Sequence, residues 1–314
     1  MALTADALGL ERVADIQRGR MLAAMAEVCC ERGAANVTVA QVVACAGVSR
    51  RTFYEIFSDR EDCFLVAFDE GVARASEWVA PAYRAVGSWR ERVRASLTEL
   101  LRFLDREPFL GRLLIVESLG AGAKSLERRR RLLAHIISAV DDGRGEARAG
   151  AGVTPLTADG IVGAVLSVIH SRLLEGDREP LIGLVNPLMN MVVLPYLGPA
   201  AARRELELPV AEAAAHGETV FRSQLRDLDM RLTYRTVRVL MAVAANRGSS
   251  NRVIGEASGV SDQGQISKLL SRLGKLGLVE NAGVGSARGE PNAWTLTKRG
   301  EEVHGAVAAQ RSPV

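Results

Sequence analysis

Aromatic side chains are scarce in this 314-residue chain, where Phe, Trp and Tyr together make up 4%. Lysine is scarcer still, at 4 residues against 36 arginines, a bias that reads as genome composition before function. Only four cysteines occur, Cys29, Cys30, Cys45 and Cys63, with no CxxC pair among them and no histidine nearby. That spacing offers no metal-ligand set and fits small core thiols in a reducing compartment. The histidines, His135, His170, His216 and His304, are too scattered to assemble a catalytic site. A GxSxG elbow and a Gly-rich phosphate loop are both missing, so no catalytic residue, metal or cofactor is expected, and no enzyme. The N-terminus has no apolar h-region, which argues against export. The most apolar stretch, Leu181 to Leu197, is interrupted by Asn186, Pro187, Asn190 and Pro195, which argues against a membrane partner. A cytoplasmic protein is expected.

What is present is an ordinary globular balance, 48% hydrophobic and 25% charged residues, in a chain long enough for two or so domains. The net charge of +3 is unevenly spread. Residues 1–60 carry 7 basic and 7 acidic side chains, residues 61–230 carry 21 and 24, and residues 231–314 carry 12 and 6. The basic surplus of the last part favours a polyanionic partner there, whereas the N-terminal part is neutral and must be judged on pattern. Apolar residues recur at helical period, as in Leu22, Met25, Ala26 and Cys29, in Leu133, Ile136, Ile137 and Val140, and in Val237, Leu240, Met241 and Ala244. Strand-like alternation is missing before about residue 277, so the first 230 residues read as all-α. Two short segments resemble each other: Ala46-Gly47-Val48-Ser49 and Ser258-Gly259-Val260-Ser261, each between two short helical patterns.

The first of these lies in Thr38 to Phe57. Thr38 suits a helix N-cap, and Val39, Val42, Val43 and Ala46 form one stripe. Gly47 gives the turn its backbone freedom, Val48 plugs the angle, and Ser49 caps the next helix. Phe53, Ile56 and Phe57 then turn inward, leaving Arg50, Arg51, Thr52 and Tyr54 outside. This is the pattern of a DNA-reading helix-turn-helix. Through Thr38 to Val43, Ala46 to Ser49, Thr52-Phe53-Tyr54, Phe57 and Arg60-Glu61-Asp62, the segment from about Gln17 to Phe68 resembles the TetR family of regulators. The resemblance implies that Thr38, Tyr54 and Arg60 hold phosphates and that Arg50, Arg51 and Thr52 face bases, with Ser49 at the head of the reading helix. Arg60 stands where the family usually has lysine, and Glu55 would repel phosphate unless it faces away or meets a cytosine amine.

Helices are expected at about 61–85, 89–105, 108–120, 124–142, 157–175 and 180–196. The last two are apolar almost all round and must be buried on more than one side. The TetR resemblance implies that they pair with their copies, giving a homodimer through about 157–196 that reads a palindrome and responds to a small-molecule effector. Glu117, His170, Arg172, Tyr83, Trp89, Phe103 and Phe109 could line an effector pocket, with structural packing the default for each. The run Arg128 to Arg131 reads as a solvated helix face.

Beyond residue 233 the logic repeats. A helix with the Val237 stripe, a short helix Asn251 to Ser258, a turn, and a longer helix Asp262 to Gly274 precede two short strands around a Gly-rich loop, and Thr297 starts a final helix. The segment resembles the winged helix-turn-helix of MarR-type regulators through Gln265 to Leu270, Leu273, Gly277-Leu278-Val279 and Leu296 to Gly300. The resemblance implies that Gln265, Ser267, Lys268 and Arg272 meet the major groove and that Arg288, at the wing tip, reaches the minor groove, although Glu290 close by departs from a basic wing. The expected organisation is a helix-turn-helix domain at 1–60, a helical sensing and dimerisation domain at 61–197, a linker at 198–218 and a small α+β winged helix domain at 219–314. The expected function is a ligand-responsive repressor that binds double-stranded DNA through both modules. The alternative is a regulator whose C-terminal module serves protein contact or dimerisation.

Overall fold

A computed structural model describes residues 5–85, 87–148, 152–175, 179–209, 234–260, 262–282 and 292–309. The chain forms two compact units: one gathers residues 1–24, 42–57 and 220–314, the other residues 25–41 and 58–219.

The second unit is helical. After the end of α1 (Ala5–Arg32), a 3-10 turn at Ala34–Asn36 leads to α2 (Val39–Ala46). The unit resumes with α4 (Arg60–Arg84), α5 (Trp89–Arg106), α6 (Pro108–Ile115), α7 (Ala123–Asp141), α8 (Pro155–Glu175), α9 (Val185–Leu197) and α10 (Pro199–Glu207). Local chemistry fixes several starts. Asp59 accepts the Asp62 N–H at the head of α4, Ser88 and Glu91 form a reciprocal capping box on α5, and Pro108 occupies the first turn of α6. Leu101, Phe103, Leu104, Leu110 and Leu113 form part of the core.

Two expected helices are interrupted. The one expected at 108–120 ends at Ile115, because Arg129 takes the carbonyls of Leu114 and Ile115 at 3.1 and 3.3 Å, and a 3-10 turn at Glu117–Leu119 follows. The one expected at 180–196 opens with a 3-10 turn at Leu181–Leu184, whose N–H groups at Leu181 and Ile182 donate to the Asp105 carboxylate at 2.7 and 2.9 Å. The stretch expected as a linker from residue 198 begins instead with α10. Pro199 starts it, and Glu205, fully buried, meets Arg94 at 2.7 Å and Arg90 at 3.5 Å. The remainder of that stretch, from residue 210, lies outside the described residues.

The arginine run divides rather than forming one solvated face. Arg130 and Arg131 pair outward with Glu127, whereas Arg128 contacts Asp69 and Arg129 caps α6. Helix α8 is long and apolar enough to cross a membrane by length and composition alone, with 22% of its apolar window buried. Its Ala158, Ile161, Val162 and Ile169 are buried, while Leu156 and Leu174 are exposed. On α9, Met191 and Leu194 are exposed opposite Leu188, Val192 and Tyr196.

The first unit contains α3 (Arg50–Ile56), α11 (Tyr234–Ala245), α12 (Asn251–Ser258), α13 (Gln263–Lys275), β1 (Val279–Asn281), β2 (Trp294–Leu296) and α14 (Lys298–Ala309). The strands pair antiparallel, Val279 with Leu296 and Asn281 with Trp294. Ile254, Ile266, Leu270, Leu273, Leu278 and Trp294 belong to one buried cluster, to which α1 contributes Ile16.

Candidate nucleic-acid interface and adjoining cavity

Helices α2 and α3 are joined by Gly47, whose φ of 63° suits glycine. The Val48 N–H donates to the Val43 carbonyl at 3.0 Å, tying the turn to α2. Val42, Val43, Ala46, Val48, Phe53 and Phe57 are buried, and the Phe53 and Phe57 rings lie 5.5 Å apart. At the head of α2, the Thr38 N–H donates to Gln41 Oε1 at 2.8 Å, while Thr38 Oγ1 accepts the Gln41 N–H at 3.4 Å. At the head of α3, Ser49 Oγ accepts the Thr52 N–H at 3.0 Å. These bonds satisfy amide donors that a helix leaves open, so α3 is a short helix with a defined start.

With Phe53 locked inward, Arg50, Arg51 and Tyr54 project outward, Tyr54 at 58% exposure. Arg51 extends along the helix and pairs through Nε with Glu55 Oε1 at 2.8 Å. Thr52 is half-buried, and its hydroxyl lies 2.8 Å from Ser49 Oγ, so it stays close to the cap. Arg60 makes bonds within the fold that the resemblance did not imply. Its Nη1 donates to the carbonyls of Ala34, Ala35 and Val37 at 2.9, 3.1 and 3.2 Å, clamping the turn that leads into α2. Sequence reading missed this clamp because it joins residues some 25 positions apart.

The C-terminal counterpart turns at Gly259, with φ of 66°, where an added Cβ would lie 2.6 Å from Arg238. Asp262 caps α13 by accepting the Gln265 N–H at 2.8 Å. Gln265, Ser267, Lys268 and Arg272 are exposed on α13, opposite buried Ile266, Leu270 and Leu273, and Gln265 accepts a bond from Arg235 at 3.2 Å. Arg288 and Glu290 lie outside the described residues, as does Ser261.

The second unit contains a cavity of about 480 Å³, within the usual range for small-molecule pockets. Cys30, Leu104, Asp105, Phe109, Arg112 and Arg172 are among the residues lining it. Phe109 and Arg172 were candidates from sequence, whereas Cys30 and Arg112 were not. Of the other candidates, Trp89 is buried and donates its indole N–H to the Ala139 carbonyl at 3.1 Å. Tyr83 bonds the same carbonyl at 3.0 Å, and Phe103 packs edge-on to Trp78. His170 does not line the cavity. Burial pushes the Cys30 thiol up to about 12, so it is neutral at physiological pH. Among the described residues no group of three or more His, Cys, Asp or Glu could hold a metal ion.

Comparison with known proteins agrees with the helix-turn-helix geometry. Residues 21–67 match the family described as bacterial regulatory proteins, tetR family. The fold is similar to that of the fatty acid degradation regulator FadR from Bacillus halodurans, with a TM-score of 0.50 and 17% identity over 55% of this chain and 96% of that one. It is equally similar to the transcriptional regulator FadR from Bacillus subtilis, solved in complex with stearoyl-CoA, with a TM-score of 0.50 and 18% identity over the same shares of the two chains. Residues 21–67, which span α2, the Gly47 turn and α3, are thus the part of this chain that is similar to the tetR family of bacterial regulatory proteins.

Proposed function

We propose that this chain is a cytoplasmic, ligand-responsive transcription regulator, acting as a repressor and as a homodimer on a palindromic operator. One observation carries the reading. A short capped helix fixes two aromatic residues inward and turns Arg50, Arg51 and Tyr54 outward, within a segment matched to a DNA-binding family. Arg50 and Arg51 are assigned to base edges, and Tyr54 and Thr38 to phosphates. Ser49 and Thr52 serve the reading helix chiefly through its cap, and Arg60 supports it through the 34–37 turn. The exposed apolar side chains of α8 and α9, Leu156, Leu174, Met191 and Leu194, support a dimer built on those helices, since a single chain leaves them in water. A structural neighbour that holds stearoyl-CoA, together with the cavity beside Arg112, supports an effector that enters the helical unit.

The C-terminal module is proposed as a second DNA reader of winged-helix type, with Gln265, Ser267, Lys268 and Arg272 facing the duplex. Its support is the repeated capped turn and the basic balance after residue 230. The packing of Ile16 into its hydrophobic cluster favours the alternative, a module that serves protein contact or dimerisation. Footprinting decides between them. The full-length Gln265→Ala, Lys268→Ala, Arg272→Ala variant is expected to protect a shorter stretch of a selected operator and to show a shallower salt dependence than the parent. An unchanged footprint and slope would remove DNA contact from α13. Failure of the parent chain to bind any duplex from a random pool would remove the function itself.

A further inference from the structure

The cavity beside Arg112 touches a polar chain that ends at the entrance to the helix-turn-helix. Arg112 lines the cavity, and its Nε donates to Glu117 Oε1 at 3.3 Å. Glu117 is buried at 7% exposure, and its other oxygen accepts the backbone N–H of Ala34 at 2.8 Å. Ala34 opens the 3-10 turn Ala34–Asn36, four residues before the Thr38 cap of α2. Arg60 holds carbonyls of the same turn. Glu117 secures this turn through its amide, Arg60 through its carbonyls and Asn36 through the Arg32 carbonyl, and of these three Glu117 is the one bonded to a residue that lines the cavity.

The groups around the cavity define what it can take. Asp105 carries a charge, but both its oxygens accept backbone N–H groups, from Leu181 and Ile182. Glu179 is exposed and lies 3.9 Å from Arg172. Cys30 is a neutral thiol 3.6 Å from the Phe109 carbonyl. Arg112 is different: among the described residues its side chain makes only the Nε bond to Glu117, so its terminal nitrogens are donors without an acceptor. Leu104, Phe109, Leu173 and Leu181 supply apolar walls.

We propose that this cavity binds a small molecule with an anionic head on an apolar body, and that the path Arg112–Glu117–Ala34 carries its arrival to the DNA-reading head. The proposal rests on the regulator reading above. An anion on the terminal nitrogens of Arg112 shares the guanidinium's charge with Glu117 and sets a second negative charge near it. Arg112 is the only ion-pair partner of Glu117 among the described residues. A buried carboxylate that loses its cation is strongly disfavoured, so Glu117 leaves its place and releases the Ala34 amide. The turn then keeps Arg60 and the bonds of Asn36 to the Gly33 and Arg32 carbonyls, but its first amide is open. Coupling of this kind typically changes affinity at the second site by roughly 5- to 150-fold.

The full-length protein tests both halves. Calorimetry with decanoate, decanoyl-CoA and decanol reads the site without DNA. One or both of the anions should bind, decanol at least about tenfold more weakly, and Arg112→Gln should lose about tenfold in anion affinity while Arg112→Lys retains most of it. Which anion binds tells a free carboxylate from a phosphate-bearing head. Hydrogen exchange at Ala34–Asn36 then reads the relay, again without DNA: the bound anion should accelerate it in the parent and leave it unchanged in Glu117→Gln, whose amide oxygen still accepts the Ala34 N–H but has no charge to strand. With a selected operator, the anion should weaken DNA binding in the parent and much less in Glu117→Gln. No binding by either anion, equal binding of decanol, or full affinity in Arg112→Gln would overturn the site. Equal acceleration in Glu117→Gln and the parent would overturn the relay. A parent that ignores DNA but shows the exchange effect would instead sink the regulator reading and leave the relay standing.

Discussion

Replacing Arg51 by alanine removes a guanidinium that is 89% accessible and bonded to one protein partner, Glu55, at 2.8 Å. An exposed pair four residues apart on a helix is worth about 0.3–0.5 kcal/mol, so folding stability should hardly move. Operator affinity should move far more. A bidentate contact from arginine to a guanine edge is worth about 1–3 kcal/mol of discrimination, which is roughly a 5- to 150-fold rise in Kd. Glu55 adjusts this figure. It holds Arg51 through Nε in the free protein, which tempers the reach of the guanidinium but leaves its terminal nitrogens in solvent. Glu55→Gln keeps the shape, loosens the pair and takes a carboxylate away from the phosphates, so it should tighten binding roughly twofold at low salt, with the gain fading as salt rises. Anisotropy titrations on a duplex selected from a random pool, repeated at several salt concentrations, separate base from phosphate contact. Loss of a phosphate contact weakens every duplex alike and lowers the salt slope by about one. Loss of a base contact flattens preference at one position of each half-site. If Arg51→Ala weakens all duplexes equally, or keeps the parent's affinity and preference, Arg51 does not read bases.

Glu205→Ala should cost about 3–5 kcal/mol, read as a lower urea midpoint, because it strands Arg94 and Arg90 beside a site where the carboxylate was fully buried. Gly143→Ala should lower the thermal midpoint by an amount corresponding to about 1–3 kcal/mol, since the new Cβ would lie 2.6 Å from buried Trp89; Gly145→Ala, which meets nothing within 4 Å, is the control. Iodoacetamide at about pH 8 should label exposed Cys45 well before Cys29 and Cys30, whose thiols burial pushes up to about 12. A raised thiol pKa favours the folded state below the unfolded value near 9.0, and the benefit is lost as pH climbs toward 12. Alkaline denaturation should therefore be milder in Cys29→Ala, judged against the difference between the two proteins at neutral pH.

The helices were legible because their causes are local. Period, caps and prolines lie within a few residues of what they determine, which is why Ser49 as cap and Phe53 and Phe57 as inward anchors could be read from spacing alone. Interruptions whose cause lies elsewhere in the chain were not. The break after Ile115 depends on Arg129, the start near Leu181 depends on Asp105, and α10 depends on a carboxylate meeting arginines more than a hundred residues earlier. The same distinction governs the site. The outward set on α3 follows from its own periodicity, so the exposure of Arg50, Arg51 and Tyr54 was legible from spacing. Arg60 was assigned by resemblance to phosphate, and its three bonds to the 34–37 carbonyls are a tertiary fact that no local pattern carries.

That contrast also separates two kinds of arginine in a chain where arginine supplies nearly all the positive charge. An arginine on a short helix with a locked inward face, such as Arg51, keeps its terminal donors in solvent, available to a polyanion. Arg60, Arg94 and Arg129 spend theirs on carbonyls and carboxylates inside the fold, where loss of a partner is costly because the group cannot regain water. Arg112 belongs to neither class: one edge is tied inward to Glu117 and the other lines a cavity. A side chain held in that way has open terminal donors for an anion, and a second negative charge there shares the cation that Glu117 relies on. The proposed relay thus depends on the charge of one guanidinium and the burial of one carboxylate, and it would act on the turn that leads into α2.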